Sequence, residues 1–314
     1  MDVIIEQCLN GLSLGSLYAL IAVGYTVVYG IVQLINFAHG EIFMVGAFGS
    51  LTIWLLAGSP TDMSIGFALG VMLPLMVIGG IIFSVLTAML TEKIAYKPLR
   101  SAPRLAPFIS AIGISVFLQE LVRLFYGQIP GFPDARNKIK YPTITGISGA
   151  SVDIGGVQLK MTTVFILCAL AICTLFLWFY INRTKVGRAM VATSQDQMTA
   201  RLMGIDVDHV ILSAFAVGAG LAAVAGIAQG LYIGDIGYKM GFMAGMKAFT
   251  AAVLGGIGNI NGAVVGGLVL GVVEAFASQL GDTAWKDVWA FVILILVLVF
   301  RPQGIMGAKV VDRA

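Results

Sequence analysis

The chain has 314 residues, of which 59% are hydrophobic and only 11% are charged, and its formal net charge is +3 at pH 7. Soluble domains carry roughly 25% charged residues, so this composition excludes an ordinary soluble protein. The apolar residues form blocks of about twenty, without the alternating ten-residue segments of a β-barrel. We therefore expect an all-α, polytopic helical membrane protein, and the small positive charge gives no reason to expect a nucleic-acid partner.

Nine apolar runs predict about eight or nine spans in a single transmembrane domain covering residues 1–314. In chain order they lie near residues 7–30, 41–58, 65–91, 105–126, 161–182, 209–233, 241–258, 262–280 and 285–300. No Lys or Arg precedes Lys93, so we expect no secretory signal peptide and a first span that remains in the mature protein. The run at 241–258 is rich in glycine, which predicts a discontinuous helix.

Three segments dense in Lys and Arg, at residues 92–104, 183–208 and 301–313, predict the orientation of the chain. Basic loops face the cytoplasm, so all three segments and the C-terminus are expected there. An even number of crossings must separate the last two segments, which requires the run at 241–258 to cross. The side of the N-terminus stays open, because a re-entrant turn at 31–40 would move it from the outside to the inside.

Residues 127–160 form the long outer loop of this topology. Its cations Arg136, Lys138 and Lys140 are exceptions to the rule that basic residues face the cytoplasm. They lie about ten or more residues after the preceding span, where that rule acts only weakly. Residues 151–158 surround a Gly-Gly pair and predict a short hairpin. We expect this loop to offer a surface to an external partner.

Polar residues at membrane depth are costly and therefore informative. Asn36, His39 and Glu41 form the densest such group, and two interpretations stay open. Either the chain breaks between two helical segments and lines a path or gate, or a turn at the membrane surface solvates these side chains.

The other buried charges are interpreted structurally. Glu120 and Arg123 are three residues apart and are expected to pair on one helix face. Glu274 is expected to form a hydrogen bond between helices, and Lys247 to extend to the outer interface. Small residues at spacing four predict close helix packing within the bundle, with a dimer interface as the alternative. These stripes are Gly218, Ala222, Gly226 and Gly230, then Gly262 with Gly266, and Gly267 with Gly271.

The polar, basic segment 183–208 contains a short helix with signals at both ends. Ser194 is expected to cap its first amides, with Gln197 completing a capping box, and Asp196 places negative charge in the first turn. Gly204 stands where a left-handed residue would end the helix. A short ordered helix on the face of a membrane protein predicts a docking site for a soluble partner.

Enzyme chemistry is disfavoured by the motifs that the chain lacks. The glycines at 255–262 lack a following Lys-Ser or Lys-Thr pair, so the chain has no phosphate-binding loop and no means of hydrolysing a nucleotide unaided. No metal-ligand or nucleophile-elbow motif occurs, and the three cysteines show no metal or redox spacing. An intramembrane hydrolase would need His39 and Glu41 as its pair, and their spacing places them on different helix faces.

Together, four parts of the chain resemble the LivH-type permeases of branched-chain amino-acid ABC importers. They are the opening at 11–41, the segment at 187–205, the Gly-rich run at 248–262 and the Arg-Pro-Gln-Gly tail at 301–304. The resemblance implies a bacterial inner-membrane importer with a second permease subunit, two cytoplasmic ATPase subunits and a periplasmic binding protein. ATP and Mg²⁺ would bind to those ATPases, and no cofactor to this chain.

The resemblance also implies roles for individual residues. The helix from Ser194 to Gly204, including Gln197, would insert into a groove of the ATPase, with Ala200 and Met203 in apolar contact and Arg201 paired with an acidic group. On this basis Ala200→Asp should abolish transport and leave the protein folded. The translocation path would be lined by Asn36, His39, Glu41, Gly255, Gly256 and Asn259.

Several alternatives stay open at this point. Related permeases carry urea, short amides or other amino acids instead of leucine, isoleucine and valine. A secondary transporter driven by an ion gradient would use broken helices and buried carboxylates, but would leave the capped helix unexplained. A passive channel for a small neutral solute is a further alternative.

Overall fold

The computed structural model describes residues 2–33, 36–60, 63–100, 102–103, 105–154, 157–280, 285–301 and 303–307. Within these residues the chain is a bundle of helices, as the apolar blocks predict. In these described ranges, seven helices are long and apolar enough to cross a membrane, and Met240–Gly255 and Asp287–Phe300 are shorter apolar helices. The prediction of an all-α polytopic membrane protein is confirmed, whereas the Gly-rich run forms a short helix and not the predicted discontinuous one.

The helices, in chain order, are α1 (Asp2–Val32), α2 (His39–Leu56), α3 (Ile65–Phe67), α4 (Leu73–Thr91), α5 (Leu105–Phe125), α6 (Met161–Arg183), α7 (Lys185–Gln195), α8 (Gln197–Leu202), α9 (Val207–Ile233), α10 (Met240–Gly255), α11 (Ile260–Leu280) and α12 (Lys286–Phe300). A π-helical stretch, Ala68–Met72, joins α3 to α4. Another, Glu92–Tyr96, extends α4 and leads into a 3-10 turn at Lys97–Leu99.

Two small antiparallel sheets lie outside the helices in the part of the chain that the structure describes. The strands are β1 (Ile139–Lys140), β2 (Ser151–Ile154), β3 (Val157–Lys160) and β4 (Asp235–Ile236). Pairing of β2 with β3 confirms the predicted hairpin. Pairing of β1 with β4 ties the 127–160 loop to the end of α9, a contact that local sequence does not indicate.

The core of the bundle is formed by α1, α2, α9, α10 and α11, which pack closely because small residues line their contacts. A Cβ on Gly15 would lie 2.8 Å from the Cα of Leu268, and one on Gly267 would lie 2.5 Å from the Cα of Ala19. A Cβ on Gly46 would lie 2.5 Å from the Cα of Ala223. The predicted stripes of small residues therefore serve packing within the bundle, where backbones approach without side chains between them.

The outer layer consists of α4, α5 and α6, which bury only a small part of their most apolar stretches against the rest of the chain. Their outward side chains are large and apolar, including Ile82, Phe117 and Phe176. Apolar surface of this extent suits a lipid environment.

The described residues of all three basic segments lie at one end of the bundle. Arg100 Nη1 lies 2.6 Å from Asp208 Oδ1, which joins the first segment to the second. Gln197 Nε2 donates to the Ile31 carbonyl at 3.4 Å, which places the second segment at the C-terminal end of α1. We call this the basic end. The α9 helix begins at the basic end and is about 40 Å long. The β4 strand follows α9, so β4 and its partner β1 lie at the opposite end of the bundle.

The Gly-rich run forms α10, whose 16 residues cover about 24 Å, less than the hydrocarbon thickness of a bilayer. The helix itself is continuous, and the break follows it at Gly256 (φ +107°) and Gly258 (φ +93°). The tail closes this turn, because the amides of Ile305 and Met306 donate to the carbonyls of Leu254 and Gly255 at 2.8 and 2.9 Å.

Residues 36–38 lead into α2 from within the bundle, beside α1. His39, the first residue of α2, lies against Gly24, about two turns before the end of α1. The α2 helix therefore begins inside the bundle and runs to the end opposite the basic segments. Three crossings precede the first basic segment, so α1 begins at that opposite end.

Candidate functional site

The segment between α6 and α9 folds into two short helices, α7 and α8, at the basic end. The Thr184 hydroxyl caps α7 by accepting from the Gly187 amide at 2.9 Å. Gly187 lies against the carbonyls of Tyr180 and Ile181, where a side chain would not fit. Met190 and Thr193 are buried, so α7 packs one face on the bundle.

The N-cap of α8 is Asp196, and the prediction of Ser194 as the cap is wrong. The Asp196 carboxylate accepts from the Met198 amide at 2.8 Å and bonds to the Thr199 hydroxyl, and these hydrogen bonds lower the pKa of Asp196. Ser194 instead lies in the last turn of α7, where its hydroxyl donates to the Val191 carbonyl at 2.7 Å. Gln197 forms no capping box, because its side chain reaches Ile31 of α1.

The C-terminal end of α8 follows the prediction. Gly204 is left-handed, with φ +81°, and its amide donates to the Arg201 carbonyl at 3.0 Å. The next amide, of Ile205, donates to the Ala200 carbonyl at 3.0 Å. This pair of bonds is the Schellman arrangement, which satisfies the last carbonyls of the helix and fixes its end.

Exposure along α8 corrects one of the predicted contacts, that of Ala200, and the contact of Arg201 with a partner stays a prediction. Ala200 is buried in the chain's own core, so it is not available to a partner. Arg201 lies 3.9 Å from Asp208 of its own chain. The exposed apolar side chains are Met198, Leu202 and Met203, at 70, 80 and 78% exposure. We call these three residues the docking face; of them, the sequence predicted Met203.

Asn36, His39 and Glu41 are all buried, at 2, 1 and 0% exposure, so the interpretation as a solvated surface turn is wrong. Asn36 Oδ1 accepts from the Tyr96 hydroxyl at 2.7 Å. The His39 ring lies 4.6 Å from the Tyr25 ring, measured between centroids. The three side chains therefore lie inside the bundle, where α2 begins.

Glu41 is held by α5, through contacts that sequence spacing does not reveal. Its Oε1 accepts from Ser115 at 3.0 Å and from Gln119 at 2.8 Å. Its Oε2 faces Gly241 at the start of α10. Glu41 thus connects α2, α5 and α10 at one point.

The N-terminal turns of α2 and α10 cross at this point. A Cβ on Gly245 would lie 2.9 Å from the Cα of Gly40, and Gly40 and Gly241 are also in backbone contact. Glycine is required at such a crossing because any side chain would separate the two helices. Both helices begin within the bundle, which gives the broken-helix arrangement that the sequence left open.

The remaining predicted path residues lie in the turn between α10 and α11. Gly255 packs on Gly262, and Gly256 packs on the tail at Gly304. Asn259 Oδ1 accepts from the Gly262 amide at 3.2 Å, and its Nδ2 donates to the Met306 carbonyl at 2.8 Å. Asn259 therefore caps α11 and holds the tail.

A buried ion cluster between α1, α10, α11 and α12 was not predicted in full. Lys247 is buried, and its Nζ lies 2.7 Å from Glu274 and 2.6 Å from Asp287, so its predicted extension to the interface is wrong. Glu274 also accepts from the Tyr18 hydroxyl at 2.9 Å, which agrees with the predicted hydrogen bond between helices. The predicted Glu120–Arg123 pair is confirmed at 2.6 Å.

Apolar helices of spanning length, polar residues buried between them and two capped helices at one end define a polytopic helical membrane protein. The model of the family "Branched-chain amino acid transport system / permease component" matches residues 7–298. The chain belongs to this permease family, and it is a transport subunit and not an enzyme.

Relatives of known name cover nearly the whole chain. The high-affinity branched-chain amino acid permease BraD of Pseudomonas aeruginosa is 42% identical over 98% of this chain and 97% of its own. LivH of Salmonella typhimurium is 42% identical, and LivH of Escherichia coli is 41% identical, with the same coverage. A solved ABC transporter of metal-chelate type aligns with 96% of this chain and 88% of its own, at a TM-score of 0.49 and 17% identity.

Proposed function

We propose that this chain is the membrane-spanning permease subunit of an ATP-driven, binding-protein-dependent importer of leucine, isoleucine and valine in a bacterial inner membrane. The names of the relatives support this cargo, and their similarity extends over nearly the full chain. The complete importer contains a second permease subunit, identical or homologous, two ATPase subunits that bind ATP and Mg²⁺, and a periplasmic binding protein.

The docking face is the single observation that carries the link to an ATPase. Met198, Leu202 and Met203 are exposed on a helix fixed at both ends, by Asp196 and by Gly204. Exposed apolar side chains on a rigid element beside basic residues suit a protein groove better than water. In this function the docking face inserts into a groove of the ATPase, and the basic end, with the C-terminus, faces the cytoplasm.

Three contacts connect α8, which carries the docking face, and the segment after it to the spans. Gln197 bonds to the end of α1, and Asp208 at the start of α9 pairs with Arg100 and Lys97, which follow α4. Movement of α8 with the ATPase is therefore passed to α1, α4 and α9. These helices surround the start of α2, where Asn36, His39 and Glu41 are proposed to line or gate the path. The turn at Gly255, Gly256 and Asn259 is proposed as its support on the cytoplasmic side.

The test is an acidic substitution in the docking face. Leu202→Asp should prevent recovery of the ATPase with the permease and reduce leucine uptake at least about tenfold, because a charge in an apolar interface is costly. The variant is expressed with its partners in cells that lack their own branched-chain amino-acid uptake, and co-purification and uptake are measured.

Leu202→Met is the matched control, since it keeps the size and apolar character of the side chain and should retain both properties. Normal uptake by Leu202→Asp, at normal permease abundance, would contradict the docking role. Depleting ATP while the ion gradient is maintained should stop uptake by the importer, whereas a secondary transporter would continue.

A further inference from the structure

A cavity of about 680 Å³ extends from the outer loop into the bundle and ends at the buried ion cluster. Its floor includes Tyr18, Lys247 and Glu274, and its mouth includes Arg136 and Lys138 of the 127–160 loop. Small-molecule sites are commonly cavities of about 300–1,000 Å³ with a few convergent polar groups. We propose that this cavity is a binding site for an α-amino-acid zwitterion within the permease, a proposal that rests on the proposed importer function.

The floor presents opposite charges side by side, as an amino-acid backbone does. Lys247 Nζ and Glu274 Oε1 are 2.7 Å apart, and the Tyr18 hydroxyl lies 3.3 Å from Lys247 and 2.9 Å from Glu274. The ligand's ammonium would take Glu274 as its acceptor, and its carboxylate would take Lys247 as its donor. Each charge of the ligand then replaces half of an existing ion pair, so no buried charge is left alone.

Asp287 makes this exchange possible without exposing Lys247. Its Oδ1 lies 2.6 Å from Lys247 Nζ, on the side of α12, and Asp287 is not part of the cavity wall. When Glu274 turns to the ligand's ammonium, Lys247 keeps Asp287 as a partner. A simple structural ion pair would need only one carboxylate, whereas the second one leaves Glu274 free to change partners.

The walls and the mouth account for the class of ligand. Leu14, Leu17, Met240 and Met243 line the cavity and suit an aliphatic side chain. Three cations, Arg136, Lys138 and Lys239, stand at the mouth with one carboxylate, Asp235. This excess of positive charge repels free amines and metal cations that would otherwise compete for Glu274, while a zwitterion has no net charge to be repelled. It also gives a role to outer-loop cations that oppose the orientation trend.

The test is protection of a cysteine placed in the cavity. Met243→Cys is made in a chain that carries Cys8→Ser and Cys168→Ser, since these two native cysteines are exposed and Cys173 is buried. The complete transporter in lipid nanodiscs, without ATP or binding protein, is labelled with a water-soluble maleimide. Leucine should slow labelling, whereas 4-methylpentanoate, which lacks the ammonium, and 3-methylbutylamine, which lacks the carboxylate, should not.

Lys140→Cys is the matched control, because Lys140 is exposed on the same outer loop and does not line the cavity. Its labelling should be the same with and without leucine. Absence of leucine protection at Met243→Cys, or equal protection by the two analogues, would overturn the proposed site.

The ion pair is tested by removing both charges at once. Lys247→Met with Glu274→Gln should raise the leucine concentration for half protection about ten- to hundredfold. Tyr18→Phe keeps the ion pair intact and should raise that concentration several-fold, which provides a second measurement if the double variant does not assemble. Unchanged protection in these variants would contradict the role of the cluster.

Uptake by the unmodified transporter separates this proposal from the function on which it rests. ATP-driven leucine uptake together with unprotected Met243→Cys would contradict the cavity site alone. Protection without any ATP-driven uptake would support the site and contradict the importer function.

Discussion

At the scale of single residues, the structure changes the meaning of Ala200. The sequence placed it in the contact with an ATPase, but its side chain is buried and its carbonyl accepts the Ile205 amide that ends α8. Position 200 therefore supports the shape of the docking segment, and the adjacent exposed residues make its surface.

Ala200→Asp should consequently destabilise the chain instead of producing a folded protein that cannot transport. A carboxylate at this position would be buried in an apolar environment. This would lower the stability of the folded chain by several kcal/mol or favour the protonated form of the carboxyl group. Permease abundance in the membrane and the temperature of aggregation in detergent should both fall relative to Ala200→Ser. Wild-type abundance and thermal stability, combined with lost transport, would instead restore the original interpretation.

The reason that Ser194 was misplaced is also local. Ser194, Gln195 and Asp196 stand in sequence, and both Ser and Asp are good N-cap residues. The choice between them depends on where α7 ends, and α7 extends to Gln195 because its buried face continues to Thr193. Packing against helices that are distant in the sequence therefore determines which residue caps α8, and local helix propensity carries no information about that packing.

At the scale of secondary structure elements, the crossing of α2 and α10 depends on backbone contact. An added methyl group at Gly40 would overlap the backbone at Gly241, and no side chain is available there to move aside. The α2 and α10 helices can meet at Glu41 only while Gly40 and Gly241 lack side chains.

Gly40→Ala should therefore cost about 1–3 kcal/mol through overpacking and reduce transport even when the docking face is unchanged. Gly113→Ala in α5 is the control, since nothing lies within 4 Å of the position of its added methyl group. Thermal stability in detergent and uptake are the measurements. Equal behaviour of the two variants would show that the crossing tolerates separation.

At the scale of the whole molecule, features formed by residues close together in the sequence could be predicted, and contacts between distant residues could not. The apolar helices, the Glu120–Arg123 pair, the hairpin at β2–β3 and the left-handed Gly204 follow from local spacing. The partners of Glu41 and Lys247 come from helices that are far apart in the chain, so their contacts needed the packed bundle. The burial of Lys247 differs from the prediction because two carboxylates reach it there.

The gathering of the basic segments at one end predicts which side of the membrane each region occupies. In a permease expressed without the ATPase subunits, which would cover the docking face, Met203→Cys should react with a membrane-impermeant maleimide only in inside-out vesicles, and Lys140→Cys only from the outside of spheroplasts. Both native exposed cysteines are replaced by Ser for this measurement. Reaction of the two positions from the same side would contradict the proposed orientation.

The tail contact with α10 has a consequence for how the chain can be engineered. The last backbone carbonyls of a helix have no hydrogen-bond donors within the helix. In α10, the amides of Ile305 and Met306 donate to two of these carbonyls. Expression tags and fluorescent reporters should therefore be attached after residue 307 with a linker. Ending the chain at the last apolar residue of α12 would remove these two donors and leave the end of α10 unbonded, although no transmembrane residue had been removed.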